Sequence, residues 1–383
     1  MDGNINFAGR RLKLKTKIMI RFQDLLLNTL GRVPVGSYLQ LAVQFLSKRL
    51  VGAYPYIIKL DVTDVCNLHC KMCYSKNDGR KLPFDKVLFI LNQIKDVPMR
   101  LDILGGEPLL RDDICKIIEY VKTNTKIREI VLYTNGTLVS KALAKDLFKA
   151  GLTKAIVTLI SHNQQRHDKF TGIDGSWNRT IAGIRNLTSS GIRTYTFTAL
   201  HSENIADFEE IYRYVREELK ISPLFYQYVP QRKNDPLLIP NNEWHRVKNK
   251  LLSKYRQEHM EYIKRVLSFS SRLCLGGYYS ISVKVDGSVT PCPFISDISL
   301  GNVFKESIWD IFAKRFKSPE FCQFMRLPAE CRNCSYRNLC AGACRAGNNM
   351  LFGTYFSRDC RCNGPFSDTV CDDCLPERIP TFF

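Results

Sequence analysis

The stretch Asp64–Ser75, "DVCNLHCKMCYS", places three cysteines, Cys66, Cys70 and Cys73, within eight residues. One residue, Thr63, separates it from "IIKLDV" (57–62), a β-branched run of strand length. Five similar runs come later: "LDIL" (101–104), "EIVLY" (129–133), "AIVTLI" (155–160), "TYTFTAL" (194–200) and "LFYQYV" (224–229). Between them lie amphipathic stretches of helical length, one marked by Ile114, Ile117, Ile118 and Val121. Six strands alternating with helices predict an α/β fold of parallel units. Right-handed crossovers curl such units into a barrel or an open wound sheet. Either way, functional loops follow the C-terminal strand ends, so the triplet stands at the mouth of the fold.

The chain has 383 residues, enough for a large domain and a smaller one. Its 45% hydrophobic and 24% charged residues are those of an ordinary globular protein. The formal net charge of +19 points to an anionic partner, or to a basic surface with no dedicated partner. The apolar run "IMIRFQDLLL" after the basic "RRLKLKTK" is broken by Arg21, Gln23 and Asp24, unlike a secretory signal. No run of 18 apolar residues predicts a membrane span. The expected location is cytoplasmic, where thiols stay reduced and clustered cysteines usually hold metal.

Composition divides the chain. Residues 1–55 read as a helical, basic extension with no strand pattern, and 56–235 carry the strand–helix alternation. Residues 236–272 read as polar helix and linker, opened by Pro236 and Pro240. Eleven of the fifteen cysteines lie from Cys274 to Cys374. Residues 273–365 thus form a small cysteine-rich domain whose core is thin without metal. Residues 366–383 are a tail.

Thiolates are soft ligands, suited to iron–sulfur clusters and to zinc. Four would close a structural site, whereas three leave a coordination position open. The spacing Cys66-x3-Cys70-x2-Cys73 after a first strand resembles the radical S-adenosylmethionine (SAM) superfamily. Three more segments fall where that family has motifs: "LGGEP" (104–108), "YTNGTL" (133–138) and "TLISHNQQRHDKFTG" (158–172). The resemblance implies a partial (β/α)6 TIM-like barrel. It also implies a [4Fe–4S] cluster on Cys66, Cys70 and Cys73 with one iron open to SAM. Gly105, Gly106 and Glu107 would lie at the SAM amine, and Asn135 and Ser161 at its ribose or carboxylate. Met72 stands where relatives often have an aromatic residue, and Thr171 where many have Arg.

The C-terminal spacing resembles the SPASM domain, which carries one or two auxiliary [4Fe–4S] clusters. The resemblance implies one ligand group of Cys274, Cys292 and Cys344. A second would comprise Cys331, Cys334, Cys340 and Cys362, the last within "DCRC" (359–362). A zinc ribbon is the alternative reading of these CxxC pairs. With three matched ligands, the first group either has an open iron that could touch substrate or is completed by a thiol such as Cys322. Cys115 reads as incidental, and Cys371 and Cys374 as part of the tail.

The implied chemistry is reductive cleavage of SAM to a 5′-deoxyadenosyl radical that abstracts hydrogen from an unactivated C–H. A peptide or protein side chain is the leading expected substrate, with a flavodoxin or ferredoxin as electron donor. Pro293, in place of an Asp after Cys292, argues against sulfatase maturation. A second reading is a lipid or isoprenoid substrate, drawn from the net +7 of nine Lys/Arg over two Asp in residues 1–49. Such a segment would contact the inner face of a membrane peripherally. A third reading is an iron–sulfur electron carrier or nucleic-acid binder that does not cleave SAM. No nucleic-acid partner is expected, because no basic–aromatic recognition pattern appears.

Overall fold

The computed structural model describes residues 55–254, 274–334 and 342–362, apart from Lys76, Pro98, Leu275, Tyr279 and Arg361. It also describes the backbone of two short strands, Asn6–Phe7 and Arg10–Arg11, which pair antiparallel. The expectation that residues 1–55 hold no strand is therefore corrected at these four positions. The helical reading of that extension, segment 255–273, Cys340 and the tail with Cys371 and Cys374 lie outside the described residues.

Six strands follow the β-branched runs: β1 (Ile57–Asp61), β2 (Arg100–Leu104), β3 (Glu129–Thr134), β4 (Lys154–Thr158), β5 (Arg193–Leu200) and β6 (Ser222–Gln227). They pair in parallel in chain order, with Leu60 opposite Ile103 and Leu132 opposite Ala155. β6 ends the sheet without pairing back to β1, so the barrel stays open.

Period-two alternation divides the two faces. Ile58, Leu60, Leu101 and Ile103 are fully buried in the main core. Helix α1 (Phe84–Ile94) adds Val87, Ile90, Leu91 and Ile94 to it. Helix α2 (Ile114–Asn124) adds Ile114, Ile117, Ile118 and Val121, the face that the sequence pattern marks. The alternate positions carry Lys59, Asp61, Asp102 and Tyr133. A parallel sheet buried in apolar contacts on both faces would show continuous hydrophobic runs. Here the second face lines the barrel and is polar. Arg100 pairs with Asp102 and donates to the Tyr133 hydroxyl at 3.1 Å.

The cysteine-rich segment continues this sheet. Strand β7 (Ser280–Val283) lies parallel to β1 on its other side, with Ile57 opposite Ser280 and Leu60 opposite Val283. Strands β8 (Ser288–Thr290) and β9 (Gly301–Asn302) follow antiparallel, giving nine strands in all.

Gln93 of α1 joins the two parts a second time. Its side chain donates to the Val303 carbonyl at 3.1 Å and accepts from the Ile308 amide at 2.8 Å. Its carbonyl accepts from the Trp309 indole at 2.6 Å. Gln93→Ala leaves two of these groups without their partner, so unfolding should become easier by about 1–3 kcal/mol. Gln93→Glu, which can still accept but no longer donate, should fall between alanine and wild type in denaturant melts.

Candidate active site

The loop bearing Cys66, Cys70 and Cys73 is gripped from two sides. On one side the amides of Gly106 and Glu107 donate to the Thr63 and Val65 carbonyls at 2.7 and 2.8 Å. A Cβ on Gly105 would stand 2.2 Å from Thr63 O, and one on Gly106 would stand 2.2 Å from Val65 O. Gly105 also has φ +145°, which other residues rarely adopt. The glycines therefore let two backbones close on each other. On the other side, His69 and Lys71 donate their amides to Thr171 O (2.9 Å) and Phe170 O (3.1 Å). These carbonyls end helix α3 of the site (Gln164–Thr171), which stops at Gly172. Lys71 also pairs with Glu203 at 2.9 Å.

Glu107 is fully buried, and its carboxylate braces the loop after β3. It accepts from Thr134 Oγ1 (2.7 Å), the Leu109 amide (3.0 Å) and the Asn135 amide (2.7 Å). Burial pushes its carboxyl up to about 7, against the pull of these donors. Its oxygens serve the protein's own loops. Asn135 Nδ2 lies 2.9 Å from Asn67 Oδ1 and 4.0 Å from Cys66 Sγ, so this residue reaches the triplet directly. Ser161 is buried, and its hydroxyl accepts from the Asn163 amide at 3.1 Å. Thr171 is buried too, 2.6 Å from the Ser176 hydroxyl. Asp168 beside it accepts from the Gly175 and Trp177 amides and from Ser176, which hold its carboxyl below the usual range despite burial. The position where many relatives carry Arg is thus part of a turn scaffold.

The three thiols are free, two half-buried and Cys73 exposed. Burial, then the charges of Cys73 and Cys66, push the Cys70 thiol up to about 12. Burial raises Cys66 and Cys73 as well. Partly desolvated thiols that repel one another's charge become thiolates when a metal centre holds them. This donor set fits an iron–sulfur cluster. Among the described residues no three His, Cys, Asp or Glu converge as the ligands of one metal ion do. A cluster spreads its ligands over separate irons.

Among the described C-terminal cysteines, some act on one another's titration. Burial raises Cys274, followed by the charge of Cys292, while the Gly276 amide and then the charge and amide of Arg345 oppose this. Cys344 caps helix Arg345–Phe352, its sulfur accepting from the Gly347 amide at 3.4 Å. Cys331 is raised by burial, then by Cys362 and Cys334. The exposed Cys322 donates its thiol to Phe316 O at 3.0 Å, an interaction that uses no cluster. Cys115 lies in α2, near Asp146 and Glu119.

Two residues escaped sequence reasoning. Tyr74, next to Cys73, meets Phe294 edge-on at 4.9 Å between ring centres. Lys284 lies over the Tyr74 ring and pairs with Asp61 at 3.1 Å. An aromatic next to one cysteine group and another just after Cys292 was the available signal.

Residues 60–215 match the Radical SAM superfamily, and residues 274–335 match SPASM, an iron–sulfur cluster-binding domain. The chain is 26% identical over 346 residues to the AdoMet-dependent heme synthase of Methanosarcina barkeri, covering 80% of this chain and 96% of that one. It is 24% identical over 347 residues to the PqqA peptide cyclase of Gluconobacter oxydans, covering 82% and 93%. The structure of Streptococcus suis SuiB bound to S-adenosylmethionine superposes with a TM-score of 0.63 at 16% identity, covering 92% of this chain and 94% of SuiB.

Two outcomes follow from this geometry. Gly106→Ala, with its Cβ driven onto the Val65 carbonyl, should lower the iron bound after anaerobic reconstitution and lower the melting temperature. Cys362→Ala should cost iron and stability, whereas Cys360→Ala should change iron content little, by iron and sulfide analysis of each variant.

Proposed function

The chain belongs to the radical SAM superfamily and carries a SPASM domain, and we propose that it abstracts hydrogen from a peptide or protein side chain. The observation that carries the reading is the cysteine loop clamped at the open mouth of a polar-lined barrel. Cys66, Cys70 and Cys73 would hold the [4Fe–4S] cluster that binds SAM. Cys274, Cys292 and Cys344, and Cys331, Cys334, Cys340 and Cys362, would hold auxiliary clusters. When bound, cluster and SAM together supply one-electron cleavage and the 5′-deoxyadenosyl radical.

The chain's own residues orient and enclose. Gly105 and Gly106 fix the triplet against β2, and Asn135 reaches it from β3. Glu107 holds the β3 loop, and Ser161 ties the β4 loop. The stacked Phe197 and Tyr226, 5.1 Å apart, stand on neighbouring strands of the inner face and cover part of it from water. A low-potential donor of the flavodoxin or ferredoxin type, acidic against this chain's +19, would supply the electron.

The peptide substrate is supported by similarity to the PqqA peptide cyclase and to the subtilosin biosynthesis protein AlbA of Bacillus subtilis. A second reading is a haem-type tetrapyrrole, favoured by the match across 96% of the M. barkeri heme synthase. Among the described residues no helix is long and apolar enough to cross a membrane. The lipid reading rests on basic residues of which only the backbone of Arg10 and Arg11 is described.

The test is anaerobic incubation of reconstituted protein with dithionite and SAM. Wild type should release 5′-deoxyadenosine, and the joint Cys66→Ala, Cys70→Ala, Cys73→Ala variant should release none while keeping its auxiliary iron. Undiminished product from that variant, or none from an iron-replete wild type, would overturn the reading. An electron carrier or nucleic-acid binder gives no product. Faster release on adding candidate peptides, but not tetrapyrroles, supports the peptide substrate, and the converse supports the second reading.

A further inference from the structure

Lys284 stands where the two cysteine sites meet. Its ammonium nitrogen lies 3.1 Å from Asp61 Oδ2, 2.7 Å from the Pro293 carbonyl oxygen and 5.1 Å from the centre of the Tyr74 ring. Each neighbour belongs to a segment that carries cluster cysteines. Tyr74 directly follows Cys73, Pro293 directly follows Cys292, and Asp61 ends the strand leading into the triplet. The Tyr74 ring in turn meets Phe294, two residues after Cys292. The Asp61 side chain is only 4% exposed and that of Lys284 21%, so solvent screens this charge pair weakly. Asp61 Oδ1 is buried and has no hydrogen-bond partner, so the carboxylate leans on Lys284.

We propose that Lys284 is a positioning residue that raises the reduction potential of the iron–sulfur centre held by the Cys292 group. Reduction adds one electron, and thus one negative charge, to that centre. Nearby charge and hydrogen bonds set how easily an iron–sulfur centre takes that electron. A cation bonded to the peptide next to Cys292 stabilises the reduced form. Toward Cys73 the same ammonium makes only a ring-face contact, so the triplet's centre is affected less. Asp61 sets the size of the effect by cancelling part of the charge. The Cys292 centre thereby becomes the better electron acceptor of the two.

The inference rests on Cys274, Cys292 and Cys344 holding a cluster, and the experiment separates the two ideas. Iron and sulfide are counted first in full-length wild type and in Cys292→Ala. Unchanged iron in Cys292→Ala means that no cluster sits there and removes both. Potentials are then read by electron paramagnetic resonance during reductive titration with dithionite and mediator dyes. Lys284→Gln should shift the auxiliary potential negative, Lys284→Arg should leave it near wild type, and Asp61→Asn should shift it positive. A purely structural role would not move the two partners of one ion pair in opposite directions. An unchanged or more positive potential in an iron-replete Lys284→Gln would overturn the proposal. If Lys284→Gln does not retain its clusters, Asp61→Asn decides: a positive shift supports the proposal, and no shift or a negative one overturns it.

Discussion

The site depends on the closure of two backbones at the ends of β1 and β2. The amides of Gly106 and Glu107 reach the Thr63 and Val65 carbonyls only because neither glycine has a side chain. That contact fixes where the polypeptide leaves β1, and so where Cys66 begins. The carbonyls of Phe170 and Thr171 close the loop from across the mouth. A loop tethered this way loses little further freedom when its thiols are ligated, which is what a preorganised metal site requires.

Glu107 extends the same constraint to the third strand. An uncompensated carboxylate with no exposure is costly, and three donors from two loops compensate this one. The "GGEP" turn is thus one device with two outputs. Its backbone holds the cysteine loop, and its side chain holds Asn135 within reach of Cys66.

Much of the architecture was legible in sequence because its signals are local. The β-branched runs from Ile57 to Val229 located all six barrel strands to within a few residues, and the isoleucines of α2 marked the buried face of that helix. The cysteine spacing suggested which thiols belong together, and the charge of Cys292 acting on Cys274 is consistent with it. What stayed hidden depends on distant partners. "SISV" (280–283) is too short to declare a strand, and its place beside β1 is set by pairing across more than two hundred residues. The missing Cβ atoms of the "LGGEP" glycines also make room for the backbone of Thr63 and Val65, a contact that no local pattern announces. Lys284 carried no signal, since its meaning comes from Asp61, Pro293 and Tyr74 meeting around it.

The pairing of β7 with β1 bears on how the protein is made. One edge of β1 finds its partner only after residues 280–283 have been synthesised. At ordinary translation rates of about 5–20 residues per second, that edge waits on the order of tens of seconds. During this interval the nascent barrel presents an unpaired strand edge, a template for wrong pairing. The thiols of the triplet emerge directly behind it. Aggregation during synthesis would therefore start at this edge of β1, which stays open until Ser280–Val283 arrives to cover it.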